Sequence, residues 1–381
     1  METARRSRAR VVGVDVVRGL AILGMFTAHL GSDQDLLLWN GSSWLEVADG
    51  RSAAGFALLA GVSAALLSGG AQPAASMSMR HARVRVIARA ALLWPLGAAM
   101  VALGTPVVVI LPSYAVMFAA MAGVLHWRPR TLLTAAAVVL LVAPPLVLLV
   151  RNRVDSWDRP PVQLLDIVIG HYYPAGIWMA YLLVGLAVGR MDLLAPATTR
   201  RLLVWGSLAA VVGYGTSAVA LRVIDPAHTL RRALLTAEPH SSSAVELLGN
   251  MGVVLIALAV CLRLAVRFPR VVAPVAATGA LALTAYCGHL IVIAALGAEV
   301  VYAPSNLRLA VFIAVTLVET TLWRTTMGRG PLERVLHAAS TWVADHLVPA
   351  GRTPLPATTA AVTVPATDQP DERRDPLTPA R

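Results

Sequence analysis

Long apolar runs alternate with short polar connections along most of the chain. Most runs approach the roughly 20 residues that an α-helix needs to cross a bilayer. None shows the strict alternation of a half-buried strand. The pattern therefore predicts an all-α fold, a polytopic transmembrane helix bundle of about ten spans. The predicted spans cover residues 12–30, 53–68, 86–103, 107–125, 132–150, 176–188, 202–223, 247–264, 275–297 and 309–323.

Composition narrows the class of protein. Of the 381 residues, 57% are hydrophobic and 14% are charged, whereas soluble proteins carry about 25% charged residues. An ordinary soluble enzyme is therefore excluded. The net charge of +11 comes from arginines that recur in short clusters between the apolar runs. Because they form no single dense patch, no nucleic-acid partner is expected, and the Cys and His spacing predicts no metal site.

The charges also predict an orientation. Arginines cluster before the first span and in every second connection, and the remaining connections hold most of the acids. The positive-inside rule then places both termini in the cytoplasm of a multi-pass plasma-membrane protein. The expected organisation is a basic N-terminus (1–11), a membrane domain (12–345) and a disordered cytoplasmic tail (346–381) that is rich in Pro, Thr and Ala.

Two charged side chains lie in the first predicted span. Asp15 and Arg18 are three residues apart, so they share one face of a helix. A charged side chain inside a bilayer is energetically costly, so it is expected to have an ion-pair partner or a functional role. The pair could form a structural ion pair, or Arg18 could extend to the interface. Alternatively, Arg18 could bind an anionic group, since its planar guanidinium suits phosphates.

Two histidines are candidate catalytic residues. His29 closes the first span, and His289 lies at a similar predicted depth in the ninth. Each could be an ordinary residue of its helix. A neutral imidazole beside a carboxylate is also a natural general base or acyl-accepting nucleophile, and the loop after His29 contains the acids Asp33, Asp35 and Asp49. The spacing therefore raises the hypothesis of a shared site.

Glu319 is a further acid within a predicted span, the last one. It could be an ion-pair partner of Arg18 or Arg89, or it could mark a proton or ion path. The alternative function is therefore a secondary transporter or permease, in which Asp15, Arg18, His289 and Glu319 would be the coupling groups.

A family resemblance appears in the first span. The pattern Asp15-x-x-Arg18-Gly, followed by His29 at the end of the helix, resembles the opening of transmembrane acyltransferases. Both the heparan-α-glucosaminide N-acetyltransferase-like proteins and acyltransferase family 3 begin in this way. In acyltransferase family 3 the terminal His is catalytic, so the resemblance implies this role for His29.

The following loop resembles the heparan-type proteins more closely. Trp39-Asn40-Gly41 and then Asp49 are similar to that family's first loop, which implies that they bind substrate. The acetyl-accepting His of the family stands just before Trp-Asn-Gly, but this chain has three leucines there, 36–38. Near the other end, residues 279–286 and 330–333 resemble the ending of YeiB-like bacterial membrane proteins.

The resemblance implies a membrane-bound O- or N-acyltransferase. It would move an acyl group, with acetyl expected, from cytoplasmic acyl-CoA to a hydroxyl or amine of an outward-facing glycan or small acceptor. Arg18 and Asp15 would bind the donor, Asp33 or Asp35 would orient His29, and His289 would stabilise or relay charge. Acetyl-CoA is thus expected as a substrate and not as a bound cofactor, and homo-oligomerisation is left open.

Overall fold

The computed structural model describes residues 11–32, 37–38, 42–43, 45–153 and 164–348. Within them, every predicted apolar run contains α-helix, and the only strands are the two-residue pair Leu37–Leu38 and Ser42–Ser43. The all-α prediction is therefore confirmed. The α-helices are α1 (Val12–Leu30), α2 (Arg51–Leu67), α3 (Ser76–Val101), α4 (Leu111–Val124), α5 (Pro129–Arg153), α6 (Leu164–Ile169), α7 (Ala175–Val188), α8 (Pro196–Val223), α9 (Thr229–Leu235), α10 (Ala244–Arg267), α11 (Pro269–Ala280), α12 (Ala282–Leu296), α13 (Glu299–Tyr302), α14 (Asn306–Thr326) and α15 (Pro331–Leu347).

The number of full-length spans is smaller than predicted. In the described chain, seven helices are long and apolar enough to cross a membrane, or eight if α11 and α12 count as one broken span. The predicted spans 107–125 and 176–188 are the helices α4 and α7, with only 14 residues each. Helix α4 begins late because Pro112 belongs in its first turn, where a missing N–H is tolerated.

The predicted span 275–297 is wrong as a single helix. Its axis bends by 71° between α11 and α12. The Glu333 carboxylate accepts hydrogen bonds from the backbone N–H groups of Leu283 (2.7 Å) and Thr284 (3.0 Å) and from the Thr284 hydroxyl (2.5 Å). These bonds satisfy N–H groups that begin a helix, so α12 starts anew at this point.

Small residues bring helix backbones together inside the bundle. A side chain at Gly185 of α7 would collide with the backbone of Leu58 in α2, and one at Gly61 with the backbone of Leu182. Gly279 of α11 lies in the same way against the backbone of Asp15 in α1. Such close approach is typical of helix packing in membranes, and it fixes α1 against α11.

Helix α15 was missed by the sequence analysis. It packs along α3, where His81 and Asp345 form a hydrogen bond of 2.8 Å and Arg85 contacts the His337 ring at 3.3 Å. The predicted tail, from residue 349 onward, lies outside the described residues.

Candidate active site

Two histidine rings from different helices form the centre of the site. His29 of α1 and His289 of α12 lie 5.5 Å apart, centroid to centroid, with their planes only 12° from parallel. His289 is 2% exposed. The Nδ1 atoms of both rings and Nε2 of His289 are buried without a hydrogen-bond partner. The structure thus brings together two imidazoles that have unsatisfied nitrogens.

Aromatic side chains fix the orientation of His289. The Phe26 ring lies 5.0 Å from it, and the Tyr286 ring, one turn earlier on α12, lies 5.1 Å from it. The Tyr286 hydroxyl accepts a hydrogen bond of 3.2 Å from the backbone N–H of Ile110. Helix α12 is therefore connected to the beginning of α4 at the level of the histidines.

A third histidine, His240, lies close enough to His29 for an electrostatic interaction. It belongs to the loop before α10, and its ring lies 5.9 Å from Tyr172 and 5.5 Å from Tyr173. Sequence reasoning missed it because it lies about 200 positions from His29 in a segment with no hydrophobic period. We call the end of the bundle where these histidines lie the histidine end.

A cavity of about 780 Å³ opens beside His240. Its lining combines apolar residues with aromatic, charged and hydroxyl groups, which is typical of a small-molecule site. The Oδ2 atom of Asp166 is buried there without a partner. The polar lining residues are Thr105, Ser113, Arg151, Asp166, His171, Tyr172, His240 and Ser241.

Burial shifts the pKa values of the loop residues near the cavity. Loss of solvent lowers the pKa of His240, so this imidazole is neutral at pH 7. Burial also raises the pKa of Tyr173 to about 12, and Tyr172 and Asp49 add to the rise. Asp49, a predicted substrate-binding residue, therefore lies near Tyr173 at the histidine end.

Arg18 lies at the opposite end of α1 and has three protein partners. Its guanidinium donates to the Asp15 carboxylate at 2.9 Å, the Gly279 carbonyl at 3.1 Å and the Ser63 hydroxyl at 2.8 Å. The ion-pair interpretation of Asp15 and Arg18 is confirmed. The same bonds join α1, α2 and α11, so Arg18 has a structural role whether or not it also binds a donor.

A cluster of arginines surrounds this end of α1, which we call the arginine end. Arg89 lies within electrostatic range of Arg18, Arg85 and Arg329. The Nε atoms of Arg85 and Arg89 are buried and have no hydrogen-bond partner. Sequence reasoning considered Arg89 only as a partner for Glu319. Arg85 has Asp345 within electrostatic range, but the charges that act on Arg89 are all arginines, which favours the binding of an anion beside it.

Glu319 is the one remaining predicted residue that the structure describes, and it is not brought into the site. Glu319 lies on an exposed face of α14 and hydrogen-bonds to neither Arg18 nor Arg89, so its predicted ion pair is wrong. Asp33, Asp35, Trp39 and Asn40 lie outside the described residues.

Comparison with known proteins identifies the family. The model of the catalytic region of heparan-alpha-glucosaminide N-acetyltransferase matches residues 10–213, more than half of the chain. The chain belongs to this family. It is thus a multi-pass membrane protein of an acetyltransferase family. The match includes His29, Arg18 and Arg89 but not His240 or His289. No curated protein matches the chain.

Proposed function

We propose that this protein transfers an acetyl group across the plasma membrane. The donor is cytoplasmic acetyl-CoA, and the acceptor is a hydroxyl or amino group of an outward-facing glycan or small molecule. The observation that carries the proposal is the stacked His29–His289 pair, whose buried nitrogens without hydrogen-bond partners occur in a member of an acetyltransferase family. Such groups can accept a proton or an acyl group.

The arginine end supports a site for the donor. The phosphates of CoA are anionic, and arginine binds phosphate through several N–H donors at once. Arg85 and Arg89 have unpartnered Nε atoms, and Arg329 adds a third charge. A phosphate group in this cluster would balance charges that repel one another in its absence.

The histidine end supports a site for the acceptor. Arg18 and His29 are eleven residues apart on α1, which is about 16 Å along a helix. CoA has its thioester at the end of a long flexible arm, so the phosphates can bind at the arginine end while the thioester approaches His29. The acceptor would enter through the 780 Å³ cavity.

The side chains then have separate roles in the reaction. His29 deprotonates the acceptor or carries the acyl group, and His289 stabilises or relays the charge that develops on it. Asp33 or Asp35 would orient His29, and Trp39, Asn40 and Asp49 would bind the acceptor. Positive charge at the arginine end would also stabilise the CoA thiolate as it leaves.

Inverted plasma-membrane vesicles provide the test. They present the cytoplasmic face to added radiolabelled acetyl-CoA and enclose the native glycans, with glucosamine loaded as a further acceptor. We expect label to enter acetylated products in the lumen. His29→Ala should lower the rate by about 10²–10⁴-fold, the usual contribution of general-base catalysis. His346→Ala is the matched control, because His346 is exposed on α15.

Two outcomes would contradict the proposal. The first is a His29→Ala variant that is present in parent amounts and keeps the parent rate. The second is uptake of a solute by sealed vesicles with no consumption of acetyl-CoA, which would favour the transporter alternative. An acyltransferase also releases CoA when the purified protein is in detergent, where no gradient exists.

A further inference from the structure

His240 has a backbone conformation that most side chains avoid. Its φ angle is 64°, in the left-handed region, which few residues other than glycine adopt. Ser242, two residues later, has a φ of 55°. Strained residues of this kind persist only where the surrounding structure holds them, and they concentrate at functional sites.

One buried carboxylate holds this loop in place. Glu246, in the first turn of α10, accepts hydrogen bonds from the backbone N–H groups of His240 (2.9 Å) and Ser242 (2.7 Å) and from the Ser241 hydroxyl (3.0 Å). The backbone N–H of Glu246 in turn donates to the Ser243 hydroxyl at 3.0 Å. The loop is therefore rigid where it presents His240.

The ring of His240 is left available for chemistry. Its Nδ1 atom is buried and has no hydrogen-bond partner. One side of the residue contacts Tyr172 and Tyr173, and the residue also lines the 780 Å³ cavity. His29 lies within electrostatic range. His240 thus lines the cavity and also lies within electrostatic range of His29.

We propose that His240 is a further catalytic residue, the general base that takes the proton of the acceptor in this cavity. The inference rests on the proposed acyltransferase function; it assigns deprotonation of the acceptor to His240 and leaves to His29 the role of carrying the acyl group. Because burial lowers the pKa of His240, its imidazole is in the neutral form that a base requires.

The step conserves atoms and charge. The O–H or N–H bond of the acceptor breaks, and its proton moves to a ring nitrogen of His240. Before this, the acetyl group moves from CoA to a ring nitrogen of His29; the bond from the acetyl carbon to the CoA sulfur breaks, and its electron pair leaves with the sulfur as the thiolate. The acceptor oxygen or nitrogen then forms a bond to the acetyl carbonyl carbon, and the bond from that carbon to the His29 nitrogen breaks, which returns its electron pair to the neutral imidazole. His240 then releases the proton to water in the cavity.

Chemical rescue tests this role in the inverted vesicles described above. Glycine adopts a positive φ without strain, so His240→Gly removes the imidazole and keeps the loop conformation. We expect the rate of acetyl transfer to fall by about 10²–10⁴-fold and added imidazole to restore part of it. His240→Asn, which also tolerates this conformation, should lose the rate but not respond to imidazole.

Controls separate this proposal from the proposed function. His228→Gly is the matched control, because His228 is exposed in a neighbouring loop and lines neither the 780 Å³ cavity nor its smaller neighbour. Acetyl-CoA binding by purified protein should be equal in the parent and in His240→Gly, since Arg85, Arg89 and Arg329 lie at the arginine end.

The remaining outcomes separate the role of His240 from the proposed function. If His240→Gly keeps the parent rate while His29→Ala loses it, the His240 proposal is wrong and the proposed function stands. A folded His240→Gly variant whose lost rate imidazole does not restore also overturns the base role. If the parent vesicles transfer no acetyl group, both proposals fail.

Discussion

Arg18 and Arg89 are both arginines within membrane helices, but their surroundings differ. Arg18 has a carboxylate, a carbonyl and a hydroxyl as partners. Arg89 has a buried Nε without a partner and three arginines within electrostatic range. A satisfied charge stabilises the fold, whereas a buried charge among like charges destabilises it until an anion binds. Arg89 therefore has the character of a ligand-binding residue.

This contrast predicts opposite effects on stability and on binding. Arg89→Gln should weaken acetyl-CoA binding at least tenfold, because a hydrogen bond to a charged group contributes about 1.5–3 kcal/mol. Without ligand, its unfolding temperature should equal or exceed that of the parent, since a repelling charge is gone. Calorimetric titration and thermal unfolding in detergent measure the two effects. Arg130→Gln, at an exposed position, is the control, and unchanged affinity with lower stability would contradict the assignment.

The sequence allowed the positions of some site residues to be predicted, but not those of others. His29 and His289 lie in predicted helices at similar depth, so their proximity could be anticipated from span positions alone. The place of His240 could not, because it depends on a loop whose conformation is set by the Glu246 carboxylate. The arginine cluster also escaped prediction, since α3 and the Arg329 connection meet only through tertiary packing.

Helix α12 carries both Tyr286 and His289, and its start depends on a residue about fifty positions later. Glu333, at the beginning of α15, bonds to the backbone of Leu283 and Thr284. The bend between α11 and α12 and the position of His289 are thus linked to a segment beyond the last membrane helix. The residues at 279–286 and 330–333, which resemble one family's ending, contact each other here.

Loss of this cap should disturb the site as well as the fold. Glu333→Ala leaves the first N–H groups of α12 without an acceptor, and losing a helix cap costs about 0.5–2 kcal/mol. We expect a lower unfolding temperature in detergent together with slower acetyl transfer, because His289 moves relative to His29. Glu299→Ala is the control, since Glu299 is exposed at the opposite end of α12. An unchanged unfolding temperature in Glu333→Ala would show that α12 does not need this cap.

Hydrophobic patterning located the helices but not their ends. All ten predicted runs contain helix, because apolar length is enough to specify a membrane segment. The break at Leu281 has no local signal in the pattern, since the acceptor that creates it comes from α15. The amphipathic α15 was missed because it is too polar to count as a span.

The connections between helices gather at two ends of the bundle, as the alternation of charge suggests. At the arginine end, Arg190 donates to the carbonyls of Ser68, Gly70 and Leu125, which joins three connections. At the histidine end, one pocket is lined by Glu46, Val47 and Arg51 together with residues 236–239. Which end faces the cytoplasm is a prediction from the positive-inside rule.

Cysteine labelling checks this orientation in intact cells. After Cys261 and Cys287 are replaced, a cysteine at Glu46 should react with a membrane-impermeant maleimide, and cysteines at Arg83 and Arg200 should not. In inverted vesicles the reactivity should be reversed. The segment around Asp158, which lies outside the described residues, is predicted to face outward with Glu46. Labelling of Arg200→Cys from outside intact cells would contradict the proposed direction of transfer.

The lengths of the two short helices, α4 and α7, affect the distance over which an acetyl group has to be transferred. Helices α4 and α7 pack against each other, and 14 residues reach only about 21 Å, less than the roughly 30 Å of a bilayer core. The residues just before each helix line the cavity beside His240. The shortfall in length therefore lies beside this cavity. We expect the surrounding bilayer to adapt to the two short helices, so the rate of acetyl transfer should depend on the thickness of the lipid.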